Sequence, residues 1–218
     1  MALLEVKNVS HRFGENEVLK DINITVELGQ IIGIFGRNGS GKSTLLKILF
    51  KQLKQQDGEI HFRGKKLGDL GHKDKCIAYL PQNRMLPREL KVRDVIAMCS
   101  ANGAAQDAIF YAPGIDSISN KYVYQLSHGN LKYLSALLVL NLPHPIIMLD
   151  EPFSMVDPLI RERFKALLIS KKSDKTILLT DHYYRDVFQI SDVRFVLNNG
   201  VLQLATSIQD LKQLNYIL

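Results

Sequence analysis

A glycine-rich segment that ends in lysine, serine and threonine is the part of the sequence best suited to chemistry. From Gly36 to Thr44 it fits the pattern G-x-x-x-x-G-K-[ST]. Glycines let the backbone wrap closely around an anion with its N–H groups pointing inward, and a helix that follows adds the positive end of its dipole. The segment therefore predicts a nucleotide phosphate site, built from Gly36, Arg37, Asn38, Gly39, Ser40, Gly41, Lys42, Ser43 and Thr44.

Two side chains of this segment have distinct chemical roles. The Lys42 ammonium is a mobile cation for the β- and γ-phosphates, and the Ser43 hydroxyl is a ligand for Mg²⁺. The context agrees with this interpretation, because the apolar run 31–35 precedes the glycines and a helical pattern follows them.

A pair of carboxylates is the second chemical feature. Asp150 and Glu151 come directly after the apolar run 146–149. A buried strand delivers such groups to the carboxyl edge of an open α/β sheet, where ligands bind. Asp150 is predicted to hold Mg²⁺ through water, and Glu151, which points differently, is predicted to polarise the attacking water as a general base.

These residues must be positioned by alternating strands and helices. Short apolar runs predict strands at 3–9, 22–28, 31–35, 59–63, 77–80, 146–149 and 176–180. A helix is predicted from Ser43, with Leu45, Leu46 and Leu49 on one face, and Asn199-Gly200 predicts a hairpin. The alternation indicates an α/β fold whose mixed sheet core has parallel strands in its centre and an antiparallel portion. We expect one domain, 1–218, with a helical subdomain at about 84–141 inserted in the α/β core.

Composition limits the classes of function. The 218 residues are 46% hydrophobic and 23% charged, as in a folded globular protein, and no N-terminal signal peptide is expected. The two cysteines lie far apart, which argues against a zinc site. The net charge of +6 fits a solvated surface with a phosphate-binding function or contact with an anionic partner. The most apolar stretch, 134–149, is interrupted by Asn141 and two prolines, so it predicts buried core and not a transmembrane helix.

Taken in order, the motifs resemble the nucleotide-binding domain of ABC ATPases, a P-loop NTPase fold. Pro81-Gln82-Asn83 resembles the Q-loop, and Leu126-Ser-His-Gly-Asn130 resembles the signature, which is usually Leu-Ser-Gly-Gly-Gln. The segment 154–157 resembles the D-loop, and 179–182 resembles the loop of the switch histidine. Phe13 lies where the family usually has an aromatic residue stacked on adenine.

The resemblance implies a function, which is ATP hydrolysis that powers transport. The implied cofactors are ATP and Mg²⁺. The implied site consists of catalytic Glu151, His182, Lys42 and Gln82, nucleotide contacts from Phe13, the glycine-rich segment, Ser127 and Gly129, and metal contacts from Ser43, Gln82 and Asp150.

The resemblance also implies partners. They are a transmembrane permease subunit and a second ATPase subunit, identical or different, bound head to tail. In such a pair, Ser127 and Gly129 of one subunit would contact the ATP held by the glycine-rich segment of the other. No nucleic acid is expected, and the implied location is cytoplasmic, peripheral on the inner face of the cell membrane. The alternative is a soluble ABC ATPase that acts on DNA or ribosomes, and a third hypothesis is a nucleotide-binding regulator that has lost efficient turnover.

The signature departs from the family pattern at two positions. His128 stands where glycine is usual, and Asn130 stands where glutamine is usual. The imidazole of His128 either crowds the loop or adds a pH-sensitive cation. The sequence does not determine how His128 and Asn130 affect ATP turnover.

Overall fold

The computed structural model describes residues 2–68, 75–82, 86–100 and 103–217. In chain order its strands are β1 (Leu4–Phe13), β2 (Asn16–Val26), β3 (Ile31–Phe35), β4 (Asp57–Phe62), β5 (Lys65–Lys66), β6 (Ile77–Leu80), β7 (Ile146–Asp150), β8 (Thr176–Thr180), β9 (Val193–Asn198) and β10 (Val201–Leu204). Its α-helices are α1 (Lys42–Leu49), α2 (Val92–Cys99), α3 (Gly103–Phe110), α4 (His128–Leu140), α5 (Pro158–Lys171), α6 (Tyr184–Ile190) and α7 (Ile208–Gln213).

Within the described ranges the strands form two sheets. The four-stranded sheet has the order β2-β1-β4-β5 and is antiparallel. The six-stranded sheet has the order β10-β9-β3-β8-β7-β6, in which β9 to β6 are parallel and β10 pairs antiparallel with β9. The mixed α/β arrangement expected from the sequence is therefore present.

Strand β3 shows how the two faces of the larger sheet are used. Successive side chains of a strand point to opposite faces. Ile32 and Ile34 enter a core shared with the antiparallel sheet and α1, whereas Ile31 and Phe35 enter a core beneath the other helices. Burial on both faces explains why the central parallel strands are continuous apolar runs.

The parallel strands determine where the polar motifs meet. The carboxyl ends of β3, β7 and β8 lie side by side at one edge of the sheet. Gly36 follows β3, Glu151 follows β7, and Asp181-His182 follows β8. The fold thus brings three segments that are far apart in sequence to one edge, as open α/β sheets do for ligands.

Between β6 and β7 the described chain is helical, with α2, α3, two 3₁₀ turns (Asp116–Ile118 and Val123–Gln125) and α4. The predicted subdomain, 84–141, begins at a residue outside the described ranges, so this division of the chain stays a prediction. Asn83 of the Q-loop motif also lies outside the described residues. In the described part of the chain, no helix has both the length and the apolar character needed to cross a membrane.

The N-terminal hairpin is longer than the sequence pattern predicts. Strand β1 continues beyond residue 9 to Phe13, and β2 begins at Asn16 and not at residue 22. Register shifts after Val6, Val9 and His11 interrupt the regular apolar alternation on which the prediction depended. The extension matters because it places Phe13 at the tip of the hairpin.

Candidate active site

The glycine-rich loop between β3 and α1 has a backbone that other residues would not fit. A Cβ at Gly36 would lie 2.4 Å from Ser40 Oγ and 2.7 Å from Leu197 O. Gly41 has a φ of +103°, and a Cβ there would lie 2.8 Å from Val18 Cγ1. Because α1 starts at the next residue, Lys42, the loop leads directly into a helix N-terminus, as an anion site requires.

Lys42 is folded back on its own loop. Its Nζ donates hydrogen bonds to the carbonyl oxygens of Gly36 at 2.7 Å and Arg37 at 3.0 Å. Burial lowers the pKa of Lys42, while the carboxylates of Glu151, Asp150 and Asp181 act in the opposite direction. The ammonium is thus held beside the loop, within reach of any phosphate bound there.

An open cleft of about 630 Å³ runs along this loop. Phe13 and Val18 lie on its wall, and the loop faces three candidate catalytic side chains across it. The residues that line the cleft are Phe13, Val18, Asn38, Gly39, Ser40, Gly41, Lys42, Ser43, Thr44, Gln82, Glu151 and His182.

Glu151 is the centre of a hydrogen-bonded group in the cleft. Gln82 Nε2 donates to Glu151 Oε2 at 2.6 Å, and His182 Nε2 lies 2.9 Å from Glu151 Oε1. The Glu151 side chain is only 12% exposed, whereas that of His182 is 37% exposed. The fold therefore brings together the three residues that the resemblance assigned to water activation and γ-phosphate contact.

The backbone of Glu151 has an unusual conformation. Its φ of +52° lies in the left-handed region, which non-glycine residues rarely adopt. Its N–H donates to Thr180 O at 2.9 Å, and its carbonyl oxygen accepts a 2.6 Å hydrogen bond from Lys132 Nζ. The sequence patterns did not identify Lys132, because a lysine in a helix gives no signal of its target.

Asp150 lies behind the cleft and not on its surface. Its Oδ2 accepts from the Tyr79 hydroxyl at 3.1 Å, and its Oδ1 accepts from Thr180 Oγ1 at 2.8 Å. Desolvation and the nearby carboxylate of Asp150 raise the pKa of Tyr79, so that the phenol stays a donor. A carboxylate has about four lone-pair positions, so Asp150 retains acceptors for a water molecule on a metal ion.

The loop that carries His182 is fixed by the preceding aspartate. Asp181 is fully buried, and its two carboxylate oxygens accept from the backbone N–H groups of Phe153 at 2.6 Å and Tyr183 at 3.0 Å. Burial raises the pKa of Asp181, while these hydrogen bonds act in the opposite direction. Asp181 thereby connects the segment after Glu151 to the segment after His182.

Comparisons with known proteins agree with this geometry. Residues 19–154 match the family described as ABC transporter. A probable metal transport system ATP-binding protein of Thermotoga maritima is 31% identical over 208 residues, which are 91% of this chain and 82% of that protein. The chain belongs to the ABC transporter family.

Other members of the ABC transporter family match nearly the whole chain. A sulfate/thiosulfate import ATP-binding protein of Mesostigma viride is 27% identical over 216 residues, which are 94% of this chain. This chain spans only 62% of the length of that relative. A solved nucleotide-free ATP-binding cassette of an ABC transporter superposes with a TM-score of 0.85 at 21% identity, over 99% of this chain and 95% of that chain. The predicted ABC-type P-loop fold is confirmed.

The signature of this ABC transporter family member lies apart from the cleft. Ser127 caps α4 by accepting a 3.2 Å hydrogen bond from the Asn130 N–H. The described residues along the cleft include neither Ser127 nor Gly129, and the prediction that both contact the nucleotide of a second subunit is not tested by a single chain. Gly129 is buried, and a Cβ there would lie 3.1 Å from Ile160 Cδ1, whereas His128 is exposed. Position 129 is therefore the one with little room for a side chain, and there this chain keeps the glycine that is usual in the family. The exposed position 128 has room for the histidine.

Phe13 is expected to contribute to nucleotide affinity. Phe13 is 54% exposed on the cleft wall, and its ring is contacted edge-on by His11 at 4.7 Å between centroids. Stacking of a base on an aromatic ring contributes about 1–3 kcal/mol, so Phe13→Ala should raise the Kd for ATP roughly 5- to 150-fold. Turnover at saturating ATP should change little, because stacking is the same in the ground and transition states. Phe13→Tyr is the control, and an unchanged Kd in Phe13→Ala would remove Phe13 from the site.

Proposed function

We propose that this chain hydrolyses ATP and that hydrolysis drives transport through a separate membrane subunit. One observation carries the proposal: the glycine-rich loop with Lys42 faces Glu151 and its partners Gln82 and His182 across a single cleft. Phosphate-binding groups on one wall and a carboxylate on the other are what hydrolysis of a bound phosphate requires.

The roles follow from chemistry and position. Backbone N–H groups of 36–44 and the α1 N-terminus bind the phosphates, and Lys42 leaves its carbonyl partners to contact the β- and γ-phosphates. Glu151 accepts a proton from the attacking water, while Gln82 orients that water and His182 contacts the γ-phosphate. Catalysis consists mainly of positioning and charge stabilisation.

Mg²⁺ is proposed to accompany ATP. The residues suited to it are Ser43 and Gln82, whose oxygen atoms are available on the cleft, and Asp150 through a water molecule. Oxygen ligands and retained waters are what Mg²⁺ prefers. The bound ion would neutralise charge on the β- and γ-phosphates.

A second ATPase subunit completes the site in this proposal. Ser127 and Gly129 stand at the start of α4, away from the cleft of their own chain. A helix N-terminus suits a γ-phosphate, and we infer that these residues face the ATP of a partner. A head-to-tail pair, of identical or different chains, brings each α4 to the other cleft.

The membrane partner is a permease subunit on whose cytoplasmic face the chain is bound. The relatives named for metal transport and for sulfate/thiosulfate import match this chain at similar identity. We infer that cargo is selected by the permease and not by the ATPase subunit.

A pull-down tests the transport proposal. Tagged Glu151→Gln protein is incubated with ATP and Mg²⁺ in detergent-solubilised membranes of the source organism, with Lys42→Met protein as the control that binds ATP weakly. A polytopic membrane protein in stoichiometric amount is expected with Glu151→Gln. Recovery of ribosomes or DNA without a membrane protein would instead support the soluble ATPase hypothesis.

A further inference from the structure

Lys132 connects the signature helix to the candidate general base of the same chain. It lies in the second turn of α4, whose first residue follows Ser127. Its half-buried side chain reaches across to the loop after β7, where Nζ donates a 2.6 Å hydrogen bond to the carbonyl oxygen of Glu151. This contact has no part in the phosphate and water chemistry described above.

The contact acts on a residue whose backbone needs support. Glu151 is held at a φ of +52°, and such strained conformations persist only where the surroundings fix them. On the N–H side, Thr180 O accepts at 2.9 Å, and on the carbonyl side Lys132 donates. Because both backbone groups of Glu151 are held, the direction in which its side chain leaves the backbone is held as well, and from there the carboxylate reaches Gln82 and His182.

We propose that Lys132 is a positioning residue that keeps the carboxylate of Glu151 aimed at the attacking water. The proposal rests on the proposed ATPase function. Lys132 does not touch the cleft, so it acts through the peptide of Glu151 and not on ATP. In the proposed pair, α4 presents Ser127 to the ATP bound by the partner and Lys132 to Glu151 of its own chain. The same helix would therefore link the ATP site of the partner to the general base of its own site.

The electrostatic surroundings keep the Lys132 side chain at this position. Its ammonium is attracted by the carboxylates of Asp181, Glu151 and Asp150, although burial lowers its pKa. Beside it is a cavity of about 450 Å³, also lined by Gln82 and Glu151. This cavity leaves room for the larger guanidinium group of arginine, so a conservative replacement is available.

The test compares Lys132→Met and Lys132→Arg with a matched control. Lys175 is also half-buried, and its Nζ donates to the carbonyl oxygens of Leu142 at 2.6 Å and His144 at 2.9 Å. It lies before β8, at the opposite edge of the sheet from the cleft. Lys175→Met therefore removes an equivalent hydrogen-bonding ammonium without touching Glu151.

We expect Lys132→Met to lower kcat for ATP about 10- to 100-fold while KM changes less than about twofold, because only the aim of the base is lost. Lys132→Arg should recover most of the loss, and Lys175→Met should keep wild-type kcat even where its Tm falls. A kcat in Lys132→Met within twofold of wild type, or equal losses in Lys132→Met and Lys175→Met, would overturn the proposal.

A second measurement separates this proposal from the ATPase proposal. If the wild-type chain, alone and with its membrane partner, turns over no ATP, the ATPase proposal fails. A crystal structure of Lys132→Met then decides about Lys132. A shifted Glu151 peptide, with loss of the contacts to Gln82 and His182, is expected. An unchanged positive φ with both contacts intact would overturn the positioning role.

Discussion

Glu151→Gln is expected to lower the ATP turnover number at least about 100-fold and to leave ATP binding intact. Glutamine has nearly the shape of glutamate, but its amide cannot accept the proton of the attacking water, and general base catalysis contributes about 10²–10⁴-fold. The proposed phosphate contacts come from 36–44, on the other wall of the cleft, so the substitution should leave them unaltered. Phosphate release at saturating ATP and titration with a fluorescent ATP analogue measure the two quantities.

The same variant should also accumulate as a dimer in ATP and Mg²⁺, which size-exclusion chromatography detects. Adding Ser127→Arg should abolish this dimer if the signature of one chain faces the ATP of the other.

Glu162→Gln is the matched control for Glu151→Gln, because Glu162 is an exposed glutamate of α5 outside the cleft. Turnover of Glu151→Gln within tenfold of wild type would exclude Glu151 as the general base.

The hydrogen bonds of Glu151 limit how its carboxylate can act as a base. Both of its carboxylate oxygens have protein partners, one from Gln82 and one from His182. A carboxylate that is to accept a proton from water must exchange at least one of them for that water.

The loop that we propose to bind phosphate could be located from the sequence because it is local. The loop 36–44 is contiguous, and its function depends on glycine conformations and on the helix that follows, both visible in the order of residues. The position of Asp150 and Glu151 at a strand end was equally local. Alternating strands and helices also predict that β3, β8 and β7 are parallel, whereas their order in the sheet was not predicted.

What could not be predicted depends on contacts between distant segments. Lys132 and Glu151 are 19 positions apart, and Tyr79 and Asp150 are 71 apart. A buried polar side chain needs a hydrogen-bond partner. The spacing of residues along the sequence does not reveal which distant residue that partner is. Phe13 was assigned by resemblance, but the extended hairpin that carries it was missed because irregular register hides strand periodicity.

Lys42→Met is expected to have the second large effect, which combines loss of affinity with loss of turnover. A hydrogen bond to a charged group contributes about 1.5–3 kcal/mol, so the Kd for ATP should rise roughly 10- to 150-fold. Removing a group that stabilises transition-state charge should lower kcat by a further factor of about 10²–10³. Isothermal titration and single-turnover hydrolysis at saturating ATP separate the two effects. Lys47→Met, an exposed lysine of the same helix, is the control and should change neither.

The nucleotide-free protein provides an independent measurement on Lys42. In the absence of ATP its ammonium supplies donors to the carbonyl oxygens of Gly36 and Arg37, and methionine supplies none. The Tm of nucleotide-free Lys42→Met should therefore fall, and the stabilisation that ATP adds to the wild type should be reduced because it depends on affinity. An unchanged Kd for ATP would mean that the loop N–H groups and the α1 dipole bind the phosphates without the ammonium. Lys42 would then serve only to hold the shape of the empty loop.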